Sequence, residues 1–257
     1  PGKVGARLAM ASDEQWSGTV GGAGLEMKVL QLCREHLSTQ HHAFGEVIRY
    51  GLNKGAKGYQ VTPLDSLCGG QVTLAIEVMI PMPHVLLMGG GHCGQAIANT
   101  LDALGWHHSV HDTRPEFSAV KMYPSAEQLS SVSVSEFLQT ESLESLRRFS
   151  DVLLLGHDWA EDEERLLGLL HFYREGKAIP DGHQCPRIGV IGSRSKWQSF
   201  EKTCLEQGIG QPILDAVVCP IGLNIGAESP EEIAVAVVAQ IMSSFKGVDA
   251  EAPTWRT

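Results

Sequence analysis

The sequence lacks the patterns that mark several common classes of protein. Its 257 residues contain no run of about 18 apolar residues that could cross a membrane, and its 11 histidines and 6 cysteines form no HExxH or CxxC pair. Positive charge is scarce, because 20 Lys and Arg residues stand against 30 Asp and Glu residues and leave a net charge of −10. We therefore expect neither a membrane nor nucleic acid as a partner, since both favour basic surfaces.

What the sequence does contain fits a compact globular protein. Hydrophobic residues make up 43% of the chain and charged residues 19%, which is enough for a core that needs no disulfide bonds. Cysteines scattered through such a chain indicate free thiols in a reducing, cytoplasmic compartment. The chain begins with Pro1 rather than Met, so we expect that further residues precede it. Glycine is abundant, with 28 residues that cluster in a few short loops.

Residues 1–80 are predicted to form a small mixed α+β domain. Extended runs over 6–11 and 15–20 predict a hairpin, and the glycines within 21–24 precede a helical pattern. Alternation of apolar and polar residues predicts further strands over 45–50 and 71–80. Two prolines then interrupt any strand at Pro81-Met82-Pro83 and mark the domain boundary.

Residues 84–245 alternate between short apolar strands and helices, and 246–257 remain as a tail. The predicted strands are 84–88, 109–111, 152–155 and 188–191, and the predicted helices are 95–104, 142–149, 161–173, 196–207 and 233–245. Wholly apolar strands between helices indicate a parallel sheet that is covered on both faces. The predicted class is therefore α/β, with the small mixed domain followed by a doubly wound parallel-sheet domain.

The sharpest motif is the glycine-rich loop between the first strand and first helix of this second domain. It reads G-x-G-x-x-G at Gly89, Gly91 and Gly94, and Asp112 ends the next strand 18 residues after Gly94. In Rossmann-like domains such glycines permit a tight turn and a close approach of a pyrophosphate, and the acid accepts hydrogen bonds from a ribose. The motif predicts a nucleotide or cofactor site, although the fold also occurs with other ligands or none.

Arg114 leaves the choice of cofactor open at this point. An acid at position 112 favours NAD, whereas a nearby arginine can accommodate the 2′-phosphate of NADP. Arg114 could equally be a surface residue that pairs with Glu116.

Polar residues also follow the predicted strands 152–155 and 188–191, and ligands bind at the carboxyl edge of a parallel sheet. His157 and Asp158 follow one of them, and the histidine could move a proton with Asp158 or Asp162 as its partner. Ser193 and Arg194 follow the other and would suit an anion, with Lys196 nearby. The alternative is structural: Asp158 is a polar loop cap, and Ser193 is the N-cap of a helix.

Cys68 is the one cysteine that lies beside glycines before a strand, in Leu67-Cys68-Gly69-Gly70. An approachable thiolate could hold molybdenum or carry sulfur. A buried thiol that merely fills space is the alternative.

Eight short blocks occur in an order that is typical of one family. They are Gly18-Thr19-Val20-Gly21-Gly22 with Glu26, Cys68-Gly69-Gly70, Gly89 to Gly94, Asp112-Thr113-Arg114-Pro115, His157-Asp158, Ile188 to Arg194, Pro220 to Ala227, and Pro230 to Ala234. Through these blocks nearly the whole chain resembles the xanthine dehydrogenase accessory (XdhC/CoxI-type) family.

The resemblance implies a cytoplasmic protein, often a homodimer, that binds molybdenum cofactor (molybdopterin). Such a protein protects the cofactor while a cysteine desulfurase makes its terminal sulfido ligand, and inserts it into an apo-molybdoenzyme of the xanthine dehydrogenase type. The expected cofactor-binding residues are Gly21, Gly22, Glu26, Cys68, Gly69, Gly70, Gly89, Gly91, His92, Gly94, Asp112, Arg114, His157, Asp158, Ser193 and Arg194. Cys68 is also the expected metal contact, since this chain reads Gly22-Ala23-Gly24-Leu25-Glu26 where the family often has a cysteine.

A chaperone that handles a cofactor, rather than an enzyme with turnover, is therefore the leading expectation. An NAD(P)-dependent oxidoreductase fits the same glycine motif, with His157 as its candidate acid. A Rossmann-like interaction module with a vestigial pocket is the third alternative.

Overall fold

The structure is a computed structural model that describes residues 3–12, 14–39, 43–52, 61–64, 70–180, 185–250 and 252. The chain divides into two compact units, Pro1–Pro81 and Met82–Thr257. Among the described residues, no helix has both the length and the apolar character needed to cross a membrane.

The first unit packs one helix on a small mixed sheet. Its elements are the antiparallel hairpin of β1 (Leu8–Met10) and β2 (Trp16–Gly18), α1 (Ala23–Thr39), β3 (Phe44–Gly51), β4 (Val61–Pro63) and β5 (Gln71–Val78). In the sheet, β3 lies between parallel β4 and antiparallel β5. Leu25 and Val29 of α1 and Tyr50 of β3 form the buried core of this unit. The predicted hairpin, helix and two strands are present, and β4 is an additional strand.

The second unit alternates strands and helices along the chain. Its strands are β6 (His84–Met88), β7 (His107–His111), β8 (Leu129–Ser130), β9 (Asp151–Leu154) and β10 (Arg187–Val190). Its helices are α2 (His92–Ala103), α3 (Val134–Thr140), α4 (Leu143–Leu146), α5 (Trp159–Glu175), α6 (Arg194–Glu206), α7 (Gln211–Leu214) and α8 (Pro230–Lys246), with a 3-10 helix at Pro115–Ser118.

The five strands of the second unit form one parallel sheet in the order β10-β9-β6-β7-β8. Alternate residues of β6 point to opposite faces: Val85 and Leu87 pack with α2 and α8, whereas Leu86 and Met88 pack with α5 and α6. The chain leaves β6 towards β7 on one side and later returns to β9 on the other side. This arrangement is a doubly wound Rossmann-type sheet whose topological switch point lies between β6 and β9, and it confirms the predicted fold class.

One predicted helix is largely wrong. Of residues 142–149, only Leu143–Leu146 are helical, because the helix ends at Arg147 and Phe149 then enters the core beside β9. The short strand β8 and the helix α3 were not predicted. Helix α2 begins at His92, three residues earlier than predicted, so that the end of the glycine motif lies in its first turn.

Candidate functional site

Three glycines of the loop between β6 and α2 are required by close packing of backbone. A Cβ at Gly89, where φ is +126°, would lie 2.6 Å from the carbonyl carbon of Leu155 at the end of β9. A Cβ at Gly90 would lie 1.8 Å from the carbonyl oxygen of Phe117, and one at Gly94 would lie 2.3 Å from that of Gly89. All three distances are shorter than the van der Waals contact between a Cβ and a backbone atom, so any residue larger than glycine would force the loop to move.

Gly91 differs from its neighbours because it borders open space. It is the N-cap of α2 with φ −72°, and a Cβ built on it meets no described heavy atom within 4 Å. No described side chain caps this helix end, where His92 is exposed. Helix N-terminal amides that lack partners, together with the helix dipole, favour an anionic group. The side of the loop at Gly91 is therefore where an anionic ligand can approach.

The Gly90 peptide is held at both ends by buried side chains. Its N–H donates to Asp112 Oδ2 at 2.8 Å, and its carbonyl oxygen accepts a 2.8 Å hydrogen bond from the Tyr123 hydroxyl. Burial, together with the charge of Asp112, raises the pKa of Tyr123, so its hydroxyl remains a donor. The loop is therefore preformed.

Asp112 and Arg114 form an ion pair with each other. The sequence suggested them as separate contacts, the acid for the ribose of a nucleotide and the arginine for its 2′-phosphate. Arg114 Nε donates to Oδ1 at 2.9 Å and Nη2 donates to Oδ2 at 2.8 Å, while the guanidinium carbon lies 3.9 Å from the centre of the Phe117 ring. Burial would raise the pKa of Asp112, but the hydrogen bonds from Arg114 and Gly90 outweigh it and hold that pKa below its ordinary value. The carboxylate is thus a permanent part of the loop structure.

The loop after β9 does not contain the proposed histidine–carboxylate pair. Asp158 is the N-cap of α5, where its Oδ1 accepts hydrogen bonds from the backbone of Ala160 at 2.7 Å and Glu161 at 3.2 Å. These bonds lower the pKa of Asp158. His157 is exposed and makes no hydrogen bond with any part of the chain that the structure describes. The structural alternative, a polar loop cap, is the one observed for Asp158.

Asp162, the other suggested partner, lies at the centre of a buried ion-pair network. Its Oδ2 accepts from Lys196 Nζ at 2.7 Å, and its Oδ1 accepts from Arg165 Nη1 at 2.9 Å and from the Gly156 amide at 3.2 Å. Lys196 is 4% exposed and Arg165 is 1% exposed. Lys196 was expected to assist anion binding, and that expectation is corrected because its ammonium group is buried and committed to Asp162.

The network continues towards the loop after β7. Arg165 Nη2 donates to Glu161 Oε2 at 3.1 Å, and Glu161 Oε1 accepts from the Thr113 hydroxyl at 2.8 Å. A chain of polar contacts therefore joins the loops that follow β7, β9 and β10. Sequence reasoning missed this network, although Asp162 and Arg165 occur at helical spacing with the buried Leu166 and Leu169, and charges on an apolar face are an available signal.

The residues after β10 have the structural role that was the alternative in the sequence. Ser193 is the N-cap of α6, because its hydroxyl accepts a hydrogen bond from the Lys196 amide at 3.3 Å. Arg194 is exposed at the first position of this helix. The two residues lie at the same carboxyl edge of the sheet as Asp112 and His157.

Three of the expected site residues of the first unit, Gly21, Gly22 and Glu26, lie at the start of α1. Gly21 and Gly22 have φ of +85° and +75°, and the Gly21 amide donates to Thr19 Oγ1 at 3.1 Å. The Thr19 hydroxyl donates in turn to Glu26. Gly70, with φ +103°, precedes β5 and accepts a hydrogen bond from Leu52. Cys68 and Gly69 lie outside the described residues.

An open cavity of about 490 Å³ lies between α2 and α8 and is lined by His92, Gln95, Asn99, Pro230 and Glu231 among others. The cavity adjoins the glycine loop at His92, which follows Gly91, and extends from there along α2 and α8. Within the described ranges, no three His, Cys, Asp or Glu side chains are placed to hold a metal ion.

Comparison with known families gives matches in both units of the chain. The family described as XdhC Rossmann domain matches residues 85–241, and the family described as XdhC and CoxI family matches residues 1–51.

Two curated proteins are similar over much of the chain. The Uncharacterized protein YqeB of Escherichia coli (strain K12) is 28% identical over 241 residues, which cover 92% of this chain and 40% of that protein. A probable xanthine dehydrogenase subunit of Bacillus subtilis (strain 168) is 29% identical over 176 residues, which cover 67% of this chain and 46% of that protein. The chain thus spans less than half the length of either relative.

Among solved structures, a xanthine dehydrogenase from Bacillus halodurans superposes with a TM-score of 0.51 at 17% identity. The match covers 96% of this chain and 88% of that one. At this identity the likeness concerns the fold.

Proposed function

The chain belongs to the XdhC and CoxI family, with an XdhC Rossmann domain, and from this membership we propose that it is an accessory protein for a molybdoenzyme of the xanthine dehydrogenase type. In this role it binds molybdenum cofactor as cargo, protects it during sulfuration by a cysteine desulfurase, and inserts it into the apo-enzyme. The observation that carries the proposal is the family match in both units, combined with a preformed glycine loop that is open at Gly91.

The residues at the loop fit one part of this cargo, its phosphate. The pterin cofactor carries a phosphate, and the open position at Gly91 leaves room for such a group beside the first amides of α2. The rigid Gly90 peptide keeps those amides in place without a ligand. Binding a phosphate here therefore requires no rearrangement of the loop.

The metal end of the cargo is assigned to Cys68 on the basis of the family resemblance alone. A thiolate is a soft ligand that suits molybdenum. We place Gly21, Gly22 and Glu26 in the same role of contacting the cargo, together with Gly69 and Gly70. A cytoplasmic location and a homodimer belong to the same proposal.

The test uses protein purified without oxygen from a host that makes molybdenum cofactor, followed by native mass spectrometry and metal analysis. We expect bound pterin and molybdenum in the unaltered protein, and a lower content in Gly91→Ala, whose new Cβ occupies the ligand side of the loop. Gly210→Ala is the matched control, since Gly210 is also an N-cap glycine, with φ −75° and ordinary space around its Cβ.

The proposal fails if the unaltered protein carries no pterin after such a preparation, or if both glycine variants retain it equally. Turnover of a small molecule that depends on added NAD(P) would instead support the oxidoreductase alternative. Binding of the apo-enzyme without pterin or nucleotide would support the interaction module.

A further inference from the structure

Asp112 lies where the acid of a dinucleotide site accepts hydrogen bonds from a ribose, but its carboxylate is already fully used. Oδ1 accepts from the Arg114 amide at 3.0 Å and from Arg114 Nε at 2.9 Å. Oδ2 accepts from the Gly90 amide and from Arg114 Nη2, both at 2.8 Å. A carboxylate offers about four lone-pair positions. A ribose diol would therefore find no free acceptor on this side chain.

The pair is also difficult to open for a ligand. Asp112 is 2% exposed, and Arg114 binds it through two parallel donors in the bidentate geometry that carboxylate and guanidinium prefer. The Phe117 ring packs under the guanidinium at 3.9 Å. Displacing Arg114 would leave a buried carboxylate without its partner and would also release the Gly90 amide from its fixed position.

The group that faces outward at this edge is consequently a cation with spare donors. The Arg114 side chain is 29% exposed, and its Nη1 makes no hydrogen bond with any residue in the described part of the chain. Two carboxylates lie in its electrostatic surroundings, Glu116 and Glu161, and Glu161 is already bonded to Thr113 and Arg165. Arg114 Nη2 and the Gly90 amide share the same Asp112 oxygen, so the guanidinium adjoins the glycine loop.

From these contacts we infer that Arg114 selects a ligand that carries a phosphomonoester, and that the site rejects a ligand offering only a ribose diol at this position. The inference rests on the proposal above that the glycine loop holds a ligand, and it names the chemistry of that ligand. A guanidinium with free donors pairs with a phosphate in the planar geometry that a lysine cannot reproduce. Two sources supply this chemistry: the 2′-phosphate of an NADP-type dinucleotide and the phosphate of the pterin cofactor.

The experiment compares two pairs of probes that differ only in the phosphate, by calorimetric titration of the full chain. One pair is NADP⁺ and NAD⁺, and the other is the oxidised fluorescent pterin of the cofactor with and without its phosphate. We expect at least one phosphorylated probe to bind about tenfold or more tightly than its partner, as one charged hydrogen bond would give. The pair that shows the preference identifies the source of the phosphate.

Three variants assign the preference to Arg114. Arg114→Gln and Arg114→Lys should both reduce the preference to less than about threefold, and Arg114→Lys keeps a positive charge near Asp112 if the glutamine variant folds poorly. Arg147→Gln removes the same charge from an exposed position before β9, at the other edge of the sheet, and should leave the preference unchanged. A thermal melt of each variant checks its fold.

The inference is overturned if neither phosphorylated probe is preferred, if the preference survives in both Arg114 variants, or if NAD⁺ binds measurably and as tightly as NADP⁺. Its failure is separable from failure of the proposed function. Pterin found in the purified protein without any dependence on Arg114 would leave the accessory role standing. A preference for NADP⁺ that depends on Arg114, in protein that never carries pterin, would support the inference and remove the accessory role.

Discussion

Lys196 Nζ and Asp162 Oδ2 lie 2.7 Å apart, and neither residue is more than 4% exposed. Asp162 also accepts from the amide of Gly156 after β9, and Lys196 donates to the carbonyl oxygen of Ile191 after β10 at 3.2 Å. The pair therefore joins the two loops on one side of the topological switch point. These contacts fix the positions of the two loops relative to each other at the carboxyl edge of the sheet.

Asp162→Ala should consequently destabilise the second unit severely. The change leaves Lys196 and part of Arg165 buried without a counter-charge, and breaking a buried pair in this way costs about 3–5 kcal/mol in the free energy of unfolding. Urea denaturation followed by circular dichroism measures the loss. Asp158→Ala, which removes an exposed helix cap four residues earlier, should cost distinctly less. Equal losses in the two variants would contradict the central role of Asp162.

Substitution by alanine should destabilise the protein at Gly90 but not at Gly91. Gly90→Ala drives a Cβ to within 1.8 Å of the Phe117 carbonyl oxygen, so we expect a loss of about 1–3 kcal/mol in the free energy of unfolding. Gly91→Ala meets no described atom within 4 Å and should leave the thermal midpoint nearly unchanged. Differential scanning calorimetry makes the comparison, and a similar loss in both variants would show that Gly91 is a packing residue.

The stability of the second unit should depend on pH through His84 at the start of β6. Burial and the nearby charge of His107 lower the pKa of His84 to about 4, from 6.5. Below pH 6.5 the unfolded chain binds a proton at His84 that the folded protein does not bind until the pH is near 4. The stability that neutral His84 allows is therefore fully present above pH 6.5 and is lost as the pH falls to about 4. The loss amounts to at most about 3 kcal/mol.

Denaturation at a series of pH values between 7 and 4 measures the slope of the free energy of unfolding against pH. His84→Gln should flatten it, whereas His92→Gln, which removes an exposed histidine, should not. The carboxylates of Asp112 and Glu141 contribute in a lower pH range. Hydrogen bonds from their arginine partners lower their pKa values, so the stability they provide is lost only as the pH falls below the ordinary pKa of a carboxyl group. An unaltered slope in His84→Gln would show that His108 and His111, whose pKa values burial also lowers, carry the effect.

Much of the fold could be predicted because most strands of the parallel sheet are buried on both faces and read as short apolar runs, β7 with its buried His108, Ser109 and His111 being an exception. Apolar runs between helical segments identified β6, β9 and β10, and the Ser229-Pro230-Glu231-Glu232 sequence marked the start of α8 correctly. The two-residue strand β8 is too short to show any period. Helix α3 was missed although Ser133 and Glu136 form a capping box, which is a readable signal.

The site was predicted less well, because sequence spacing places residues at an edge but does not reveal which of them pair. Asp112 and Arg114 were identified correctly as neighbours of the glycine loop, yet their bond to each other depends on the turn after β7. Lys196 was considered as a further cation for an anion beside Arg194, because its neighbours in the sequence give no sign of a pairing with Asp162, which lies 34 residues away in the chain.

Cys68→Ala should lower the molybdenum content of the protein without unfolding it. The reason is chemical: if this thiolate contacts the metal of the cargo, alanine offers no ligand in its place. Native mass spectrometry and metal analysis of protein purified without oxygen measure the change, with the circular dichroism spectrum as the check of the fold.

Cys33→Ala is the matched control within the same unit. Burial raises the pKa of the Cys33 thiol, so it remains protonated and is a poor metal ligand. We expect the control to retain molybdenum and pterin at the level of the unaltered protein. If Cys68→Ala retains both as well, Cys68 is not needed to hold the metal, and the assignment of the metal contact to this residue is wrong.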